Sequence, residues 1–205
     1  MNYLISLTIG YLIGSFPTAF IILRKSHGLD ITQTGSGNVG ALNSYRVTKS
    51  KRIFLLVLII DFLKGFLSVI LTILLFGQEF IYPMLSITAA VFSHCYSPWL
   101  KLKGGKGLAT ATGGSIGLSI PIFVIWIFMW SVFFQFRKDI NFASVYASIM
   151  TAIFSVFGFS TMNRFSYFHA RSNFEFGFLV SVVMLIIISK HISPLKERLI
   201  KNKIN

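Results

Sequence analysis

Acidic residues are scarce: six Asp and Glu stand against nineteen Lys and Arg in 205 residues. Charge of either sign is scarce too, at 12% of the chain, about half the roughly 25% of a soluble domain. Hydrophobic residues reach 54%, and the mean hydropathy is +0.74. These proportions exclude a disordered chain, a coiled coil and an ordinary soluble enzyme. A single cysteine excludes a disulfide framework and any cysteine-built zinc or iron–sulfur site. There is no HxxxH pair or carboxylate cluster to suggest a metal, and no Gly-x-Ser-x-Gly elbow of a serine hydrolase. What the chain does have is long apolar runs, which make it a polytopic membrane protein. Its net charge of +13 would suggest nucleic acid on a soluble protein. On a membrane protein it first means basic loops on the inner side, then an anionic lipid or substrate, and no nucleic acid.

Crossing a bilayer takes about 20 apolar residues in a helix. Such runs lie at 1–23, 53–76, 81–100, 121–136, 142–162 and 174–189. The first lacks a basic leader and a small-residue cleavage site, so it reads as a retained span. A further stretch, 109–120, is rich in Gly, Ser, Thr and Ala and only about 18 Å long as a helix. It can be a span only if other helices bury it. With it, the chain is an all-α bundle of seven transmembrane helices forming one domain over residues 1–205. Sixteen basic residues then fall in loops on one side and only Arg164 and Arg171 on the other. That bias places the N-terminus outside and the C-terminus in the cytoplasm.

Two glycine-rich segments fall on the cytoplasmic side. The first is Gly35-Ser36-Gly37-Asn38-Val39-Gly40-Ala41-Leu42-Asn43. It contains GxGxxG, but its flanks are transmembrane runs and not a strand and helix, so it is no dinucleotide fingerprint. Closely spaced glycines can turn backbone N–H groups toward an anion, with Ser36 and Asn38 adding donors. A plain tight loop between helices reads equally well. The second segment, Lys101-Leu102-Lys103-Gly104-Gly105-Lys106-Gly107, opens the small-residue helix. It is not a Walker loop, yet lysines and glycines at a helix mouth suit a phosphate. Asp61 and Lys64, three apart in the second run, share a helical face. Charges at that depth pair or face the bundle interior. A mutual ion pair is the first reading; Lys64 reaching a buried anion or Asp61 relaying protons is the second. His94 and His191 end apolar runs, where a structural role is the commoner one, and Cys95 has no cysteine partner.

Taken together, these segments resemble the bacterial PlsY family of integral-membrane acyl-phosphate:glycerol-3-phosphate acyltransferases. The resemblance covers essentially the whole chain. It rests on Gly14-Ser15-Phe16-Pro17, on GSGNVGALN with Arg46, and on Asp61-Phe62-Leu63-Lys64-Gly65. It continues through Ser93-His94 to Lys103-Gly104-Gly105-Lys106-Gly107-Leu108-Ala109-Thr110, and on to Val145-Tyr146-Ala147-Ser148-Ile149. Five motifs in order at the right spacing are specific where any one alone would be weak.

The resemblance implies seven spans and a bacterial inner-membrane enzyme with cytoplasmic active-site loops. That enzyme transfers a fatty acyl group from acyl phosphate to the 1-hydroxyl of glycerol 3-phosphate, with no cofactor and no metal. It implies catalytic roles for Ser36, Arg46 and His191. It places Gly104, Gly105, Lys106 and Gly107 around the phosphate of glycerol 3-phosphate. By the same motifs Gly37, Asn38, Gly40, Asn43, Lys64, His94 and Lys103 line the substrates. The chain departs from the family pattern at Leu42, where the family has Thr, and at Ser93, where it has Gly. It departs again in the last motif, where Pro194 stands in place of Asn and Arg198 and Leu199 come one position late. Two alternatives follow: an altered homologue that binds phosphorylated lipid precursors, or a small-anion transporter using Asp61 and Lys64.

Overall fold

The computed structural model describes residues 1–204, apart from the side chains of 198, 199 and 201–204. Arg198 and Leu199 of the last motif therefore lie outside the described side chains. Every regular element among the described residues is helical. Five stretches are long and apolar enough to cross a membrane: Asn2–His27, Lys51–Phe76, Ile120–Arg137, Ile140–Phe157 and Asn173–Glu197. The chain divides into two compact units, Met1–Gly117 and Leu118–Asn205.

In the first unit the opening run is not one helix. It divides into α1 (Asn2–Ser15) and α2 (Thr18–His27). Pro17 is the cause: it disfavours helical geometry at the residue before it, and Phe16 sits at φ −58, ψ 117. A short α3 (Ala41–Thr48) follows the first glycine segment and leads into α4 (Lys51–Phe76). Ser50 caps α4 by accepting the Ile53 N–H at 3.3 Å. The third apolar run is helical only as α5 (Ile81–Cys95), not to residue 100. Pro98 again stops the helix early, and Pro98–Leu100 forms a 3₁₀ turn. Then comes α6 (Leu108–Leu118), the small-residue helix.

Small residues set how closely these helices approach. A Cβ on Gly10 of α1 would lie 1.8 Å from the Ser86 carbonyl of α5. A Cβ on Gly65 of α4 would lie 1.8 Å from the Thr110 carbonyl of α6, and one on Gly113 would lie 2.0 Å from the Phe62 carbonyl. Backbone-to-backbone contact of this kind is how helices associate where lipid offers no hydrophobic gain. It buries α6, at eleven residues about 16 Å long and too short to cross a bilayer while facing lipid. The hydroxyls between α4 and α5 are satisfied internally. Ser86 donates to the Ser68 carbonyl at 2.9 Å and Thr72 to the same carbonyl at 2.6 Å.

The second unit holds α7 (Ile120–Arg137), α8 (Ile140–Phe157), α9 (Phe159–Arg164) and α10 (Asn173–Ile204). Asp139 caps α8 through the Asn141 and Phe142 N–H groups. Gly158 divides what reads as a single apolar run at 142–162. Trp126 and Trp130 of α7 donate to Ser148 and Ser144 of α8 at 3.1 and 3.2 Å. Those indoles tie the two helices together through serines that are fully buried. α10 runs past the end of its apolar stretch at Ser189, through Pro194. At 32 residues it is about 48 Å long, well beyond the roughly 30 Å hydrocarbon core.

Gly65→Val tests the contact between α4 and α6. The side chain meets backbone, which cannot turn aside, so overpacking of about 1–3 kcal/mol or more is expected. The readout is a lower thermal midpoint in lipid nanodiscs, whereas Gly28→Val, on an open turn with nothing near its Cβ position, serves as the strained-backbone control with intact packing.

Candidate active site

The helix break made by Pro17 leaves carbonyls at the end of α1 without helical partners. The Thr18 N–H bonds the Phe16 carbonyl at 3.0 Å, and side chains from elsewhere in the first unit add further donors. Ser97 Oγ approaches the Ser15 carbonyl at 3.3 Å, and Trp99 Nε1 donates to Ser15 Oγ at 3.1 Å. Lys64 Nζ donates to the Phe16 carbonyl at 2.6 Å and to Asp61 Oδ1 at 2.7 Å. His94 Nδ1 lies 3.8 Å from that same Asp61 oxygen. Asp61, Lys64 and His94 are only 3%, 5% and 8% exposed, so this cluster is sealed from the surroundings. The ion pair expected from the spacing is present, and it also caps a broken helix. Two of the three Lys64 N–H groups are thus committed within the protein.

His94 connects this cluster to the lysine–glycine loop. Its backbone carbonyl accepts the Gly105 N–H at 3.0 Å. The Gly104 carbonyl next door accepts the Val39 N–H at 3.2 Å. That bond docks the two glycine segments on each other. Gly107 then leads directly into α6, whose first-turn N–H groups form the positive end of its dipole. Lys103 is exposed and Lys106 half-buried.

The first glycine segment is built around Asn43, which is 1% exposed. Its Oδ1 accepts the Ser36 N–H at 2.9 Å, and its Nδ2 donates to the Thr34 and Asn38 carbonyls at 3.0 Å each. The amide is spent on shaping the loop. Gly35 and Gly37 take φ +62 and +68, the left-handed region that glycine reaches without strain. Ser36 is left exposed at the tip and Arg46 exposed on α3. At the loop's base the Thr32 hydroxyl and amide donate to Asp30 at 2.7 and 2.9 Å. They hold its carboxyl below the usual carboxylate range. Ala19, Leu23, Ile31, Val39 and Val57 form the apolar cluster beneath. Phe20 and Leu100 pack against that cluster and also wall a cavity of about 420 Å³ at the helix break, with Leu12, Phe16, Ile21 and Trp99.

The first unit therefore gathers Ser36, Gly37, Asn38, Gly40, Asn43, Arg46, Lys64, His94 and Lys103–Gly107 of the expected site onto two docked loops and the cluster below them. His191 belongs to the second unit, fully buried on α10, its Nδ1 2.8 Å from the Ile187 carbonyl of its own helix. Sequence reasoning missed the Phe16 carbonyl, the Val39–Gly104 bond and the inward-turned Asn43. Pro17 inside an apolar run was the available signal for the first: a freed carbonyl in a membrane needs a donor, and Lys64 is the cation within reach.

Five stretches fit to cross a membrane, an all-helical fold and two docked glycine loops define a helical integral membrane protein with a polar loop centre. A family model described as glycerol-3-phosphate acyltransferase matches residues 4–202. The chain belongs to the glycerol-3-phosphate acyltransferase family. A relative of that name from Wolbachia pipientis subsp. Culex pipiens is 39% identical over 158 residues, 77% of this chain and 81% of the relative. Another from Ehrlichia chaffeensis is 31% identical over 202 residues, 97% of this chain and 95% of the relative. Among solved structures, PlsY (YgiH), an integral membrane glycerol 3-phosphate acyltransferase, in its glycerol 3-phosphate form, superposes with a TM-score of 0.78 at 28% identity. That match covers 98% of this chain and 94% of the other. Its lysophosphatidic acid form gives 0.76.

Lys64→Met should destabilise by about 3–5 kcal/mol, because it strands Asp61 as a buried, unpaired charge. Asp61→Asn/Lys64→Met should recover part of that loss. The comparison is read as denaturation midpoints of the three proteins in one lipid.

Proposed function

We propose that this chain transfers a fatty acyl group from acyl phosphate to the 1-hydroxyl of glycerol 3-phosphate, giving lysophosphatidic acid and phosphate. The observation that carries this reading is the Val39–Gly104 bond, which sets two anion-suited loops side by side for two phosphorylated substrates. The lysine–glycine loop, with Gly104, Gly105, Lys106 and Gly107, receives the phosphate of glycerol 3-phosphate, aided by Lys103. Ser36 and Asn38 face the acyl phosphate and Arg46 neutralises it, while Gly37 and Gly40, whose N–H groups bond the Thr34 and Asn38 carbonyls, shape the loop around it. Asn43, Lys64 and His94 support these loops from below, and His191 takes its catalytic role from its place in the last motif alone. The cavity at the helix break suits the apolar tail of the donor.

The chemistry needs positioning and charge neutralisation more than machinery. The 1-hydroxyl oxygen attacks the acyl carbon, the bond from that carbon to the phosphate oxygen breaks, and phosphate leaves. The hydroxyl proton passes to the departing phosphate. A side chain that donates to the carbonyl oxygen, as Ser36 does in this reading, stabilises the charge that develops there.

The five long apolar helices, together with α5 and the buried α6, form seven spans of one catalytic domain over residues 1–205. The N-terminus lies outside a bacterial inner membrane, and the C-terminus and both glycine loops lie in the cytoplasm. The basic-residue asymmetry supports this orientation. The native Cys95 is buried, which suits labelling. In intact cells an impermeant maleimide should modify His169→Cys and spare Gln33→Cys, and inverted vesicles should reverse the pattern.

The decisive assay supplies palmitoyl phosphate and glycerol 3-phosphate to the protein in lipid and follows lysophosphatidic acid and phosphate. Ser36→Ala should lower turnover by about 10²-fold or more. Full activity in that variant removes Ser36 from the site. Binding of glycerol 3-phosphate without turnover in the unaltered protein favours the altered-homologue reading, in which Pro194 has ended catalysis.

A further inference from the structure

Each glycine of the lysine–glycine loop meets a different obstacle. Gly107 has φ +79, a conformation that side chains rarely adopt. A Cβ on Gly104 would meet backbone, 2.3 Å from the His94 carbonyl oxygen and 2.5 Å from that of Cys95. Gly105 differs from both. Its φ is not positive, and the nearest atoms to its Cβ position are all in the His94 imidazole, with Nε2 at 2.0 Å, Cε1 at 2.8 Å and Cδ2 at 2.9 Å. Its N–H is bonded to the His94 carbonyl, so this donor is turned inward and away from any bound anion. Neither backbone freedom nor anion contact accounts for glycine here. The Nε2 corner of the imidazole does.

We propose that His94 is a positioning residue for the phosphate loop: its ring is the surface on which Gly105 rests, and it fixes where Lys106 stands. The ring itself has little room to move. It is buried, its Nδ1 edge faces Asp61 at 3.8 Å, and Asp61 is held by Lys64, which is held by the Phe16 carbonyl. The helix break, the ion pair, the imidazole and the loop thus form one continuous support. This inference rests on the reading of the loop as the glycerol 3-phosphate site, and it names what sets that site's geometry.

A double-mutant cycle separates this role from direct contact. Gly105→Ala should raise the KM for glycerol 3-phosphate about tenfold or more, because its methyl displaces the loop from the ring. The kcat at saturation should fall less. His94→Ala alone should raise KM more mildly. The double variant His94→Ala/Gly105→Ala gives the methyl its space, so its KM should return to within about threefold of His94→Ala. Losses that multiply in the double variant overturn the proposal, since a glycine needed for its own backbone gains nothing from a smaller residue 94. Equilibrium binding of radiolabelled glycerol 3-phosphate to the same four proteins in nanodiscs runs the cycle without turnover, so failure of catalysis and failure of this proposal are told apart. If Gly105→Ala does not fold, recovery of folded protein in the double variant supports the ring contact, and continued failure there overturns it.

Discussion

A single buried ammonium group carries much of the first unit. Lys64 would be expensive in a membrane interior, yet here it finds two acceptors: Asp61 on its own helix and the Phe16 carbonyl, which also accepts the Thr18 N–H at 3.0 Å. The bonds from Lys64 to Phe16 and Asp61 solve two problems with one side chain: an uncapped helix end and an isolated carboxylate. Asp61 in turn faces His94, and the end of α5 carries the lysine–glycine loop. The polar chemistry at the membrane surface is built upward from an apolar helix that breaks.

The two glycine segments use the same residue for different ends. Around Asn43, glycines let the chain turn while an amide side chain ties it, which leaves Ser36 exposed on a fixed tip. Around His94, glycines let the loop lie flat on the end of α5. Deeper in the membrane, Gly10 and Gly65 serve neither purpose and simply bring backbones together. Reading every glycine in a phosphate-suited motif as a source of N–H donors would assign Gly105 a bond that it makes with its own protein.

Much of the site was legible in the sequence because intramembrane charge and clustered glycine are both rare. Asp61 and Lys64 at three-residue spacing gave the ion pair, and the motif order gave the family. The small-residue composition of 109–120 gave a short helix that must be buried, and α6 is such a helix. Less legible were the helix ends. Hydropathy runs continue through Pro17, Ser97-Pro98 and Gly158, while the backbone stops at each, because apolar composition reports where lipid is and not where hydrogen bonds end. The inward turn of Asn43 was hidden for a related reason: the sequence does not show that the loop's own Ser36 N–H and the Thr34 and Asn38 carbonyls meet its amide. His191 shows where the sequence carries further than the geometry, since its place in the last motif is its only tie to the chemistry.

The break at Pro17 also bears on how the protein is made. A chain emerging N-terminus first delivers the first span to the bilayer before α4 exists. Until α4 arrives, the Phe16 carbonyl has only the Thr18 N–H and lacks the ammonium, and lipid offers no donor in its place. The first span therefore gains a charge-assisted bond when the second is threaded beside it. Lys64 travels with Asp61 already beside it on α4, so what it lacks until then is the Phe16 carbonyl. Each span brings one half of the Lys64–Phe16 bond, and that shared bond favours their entry side by side.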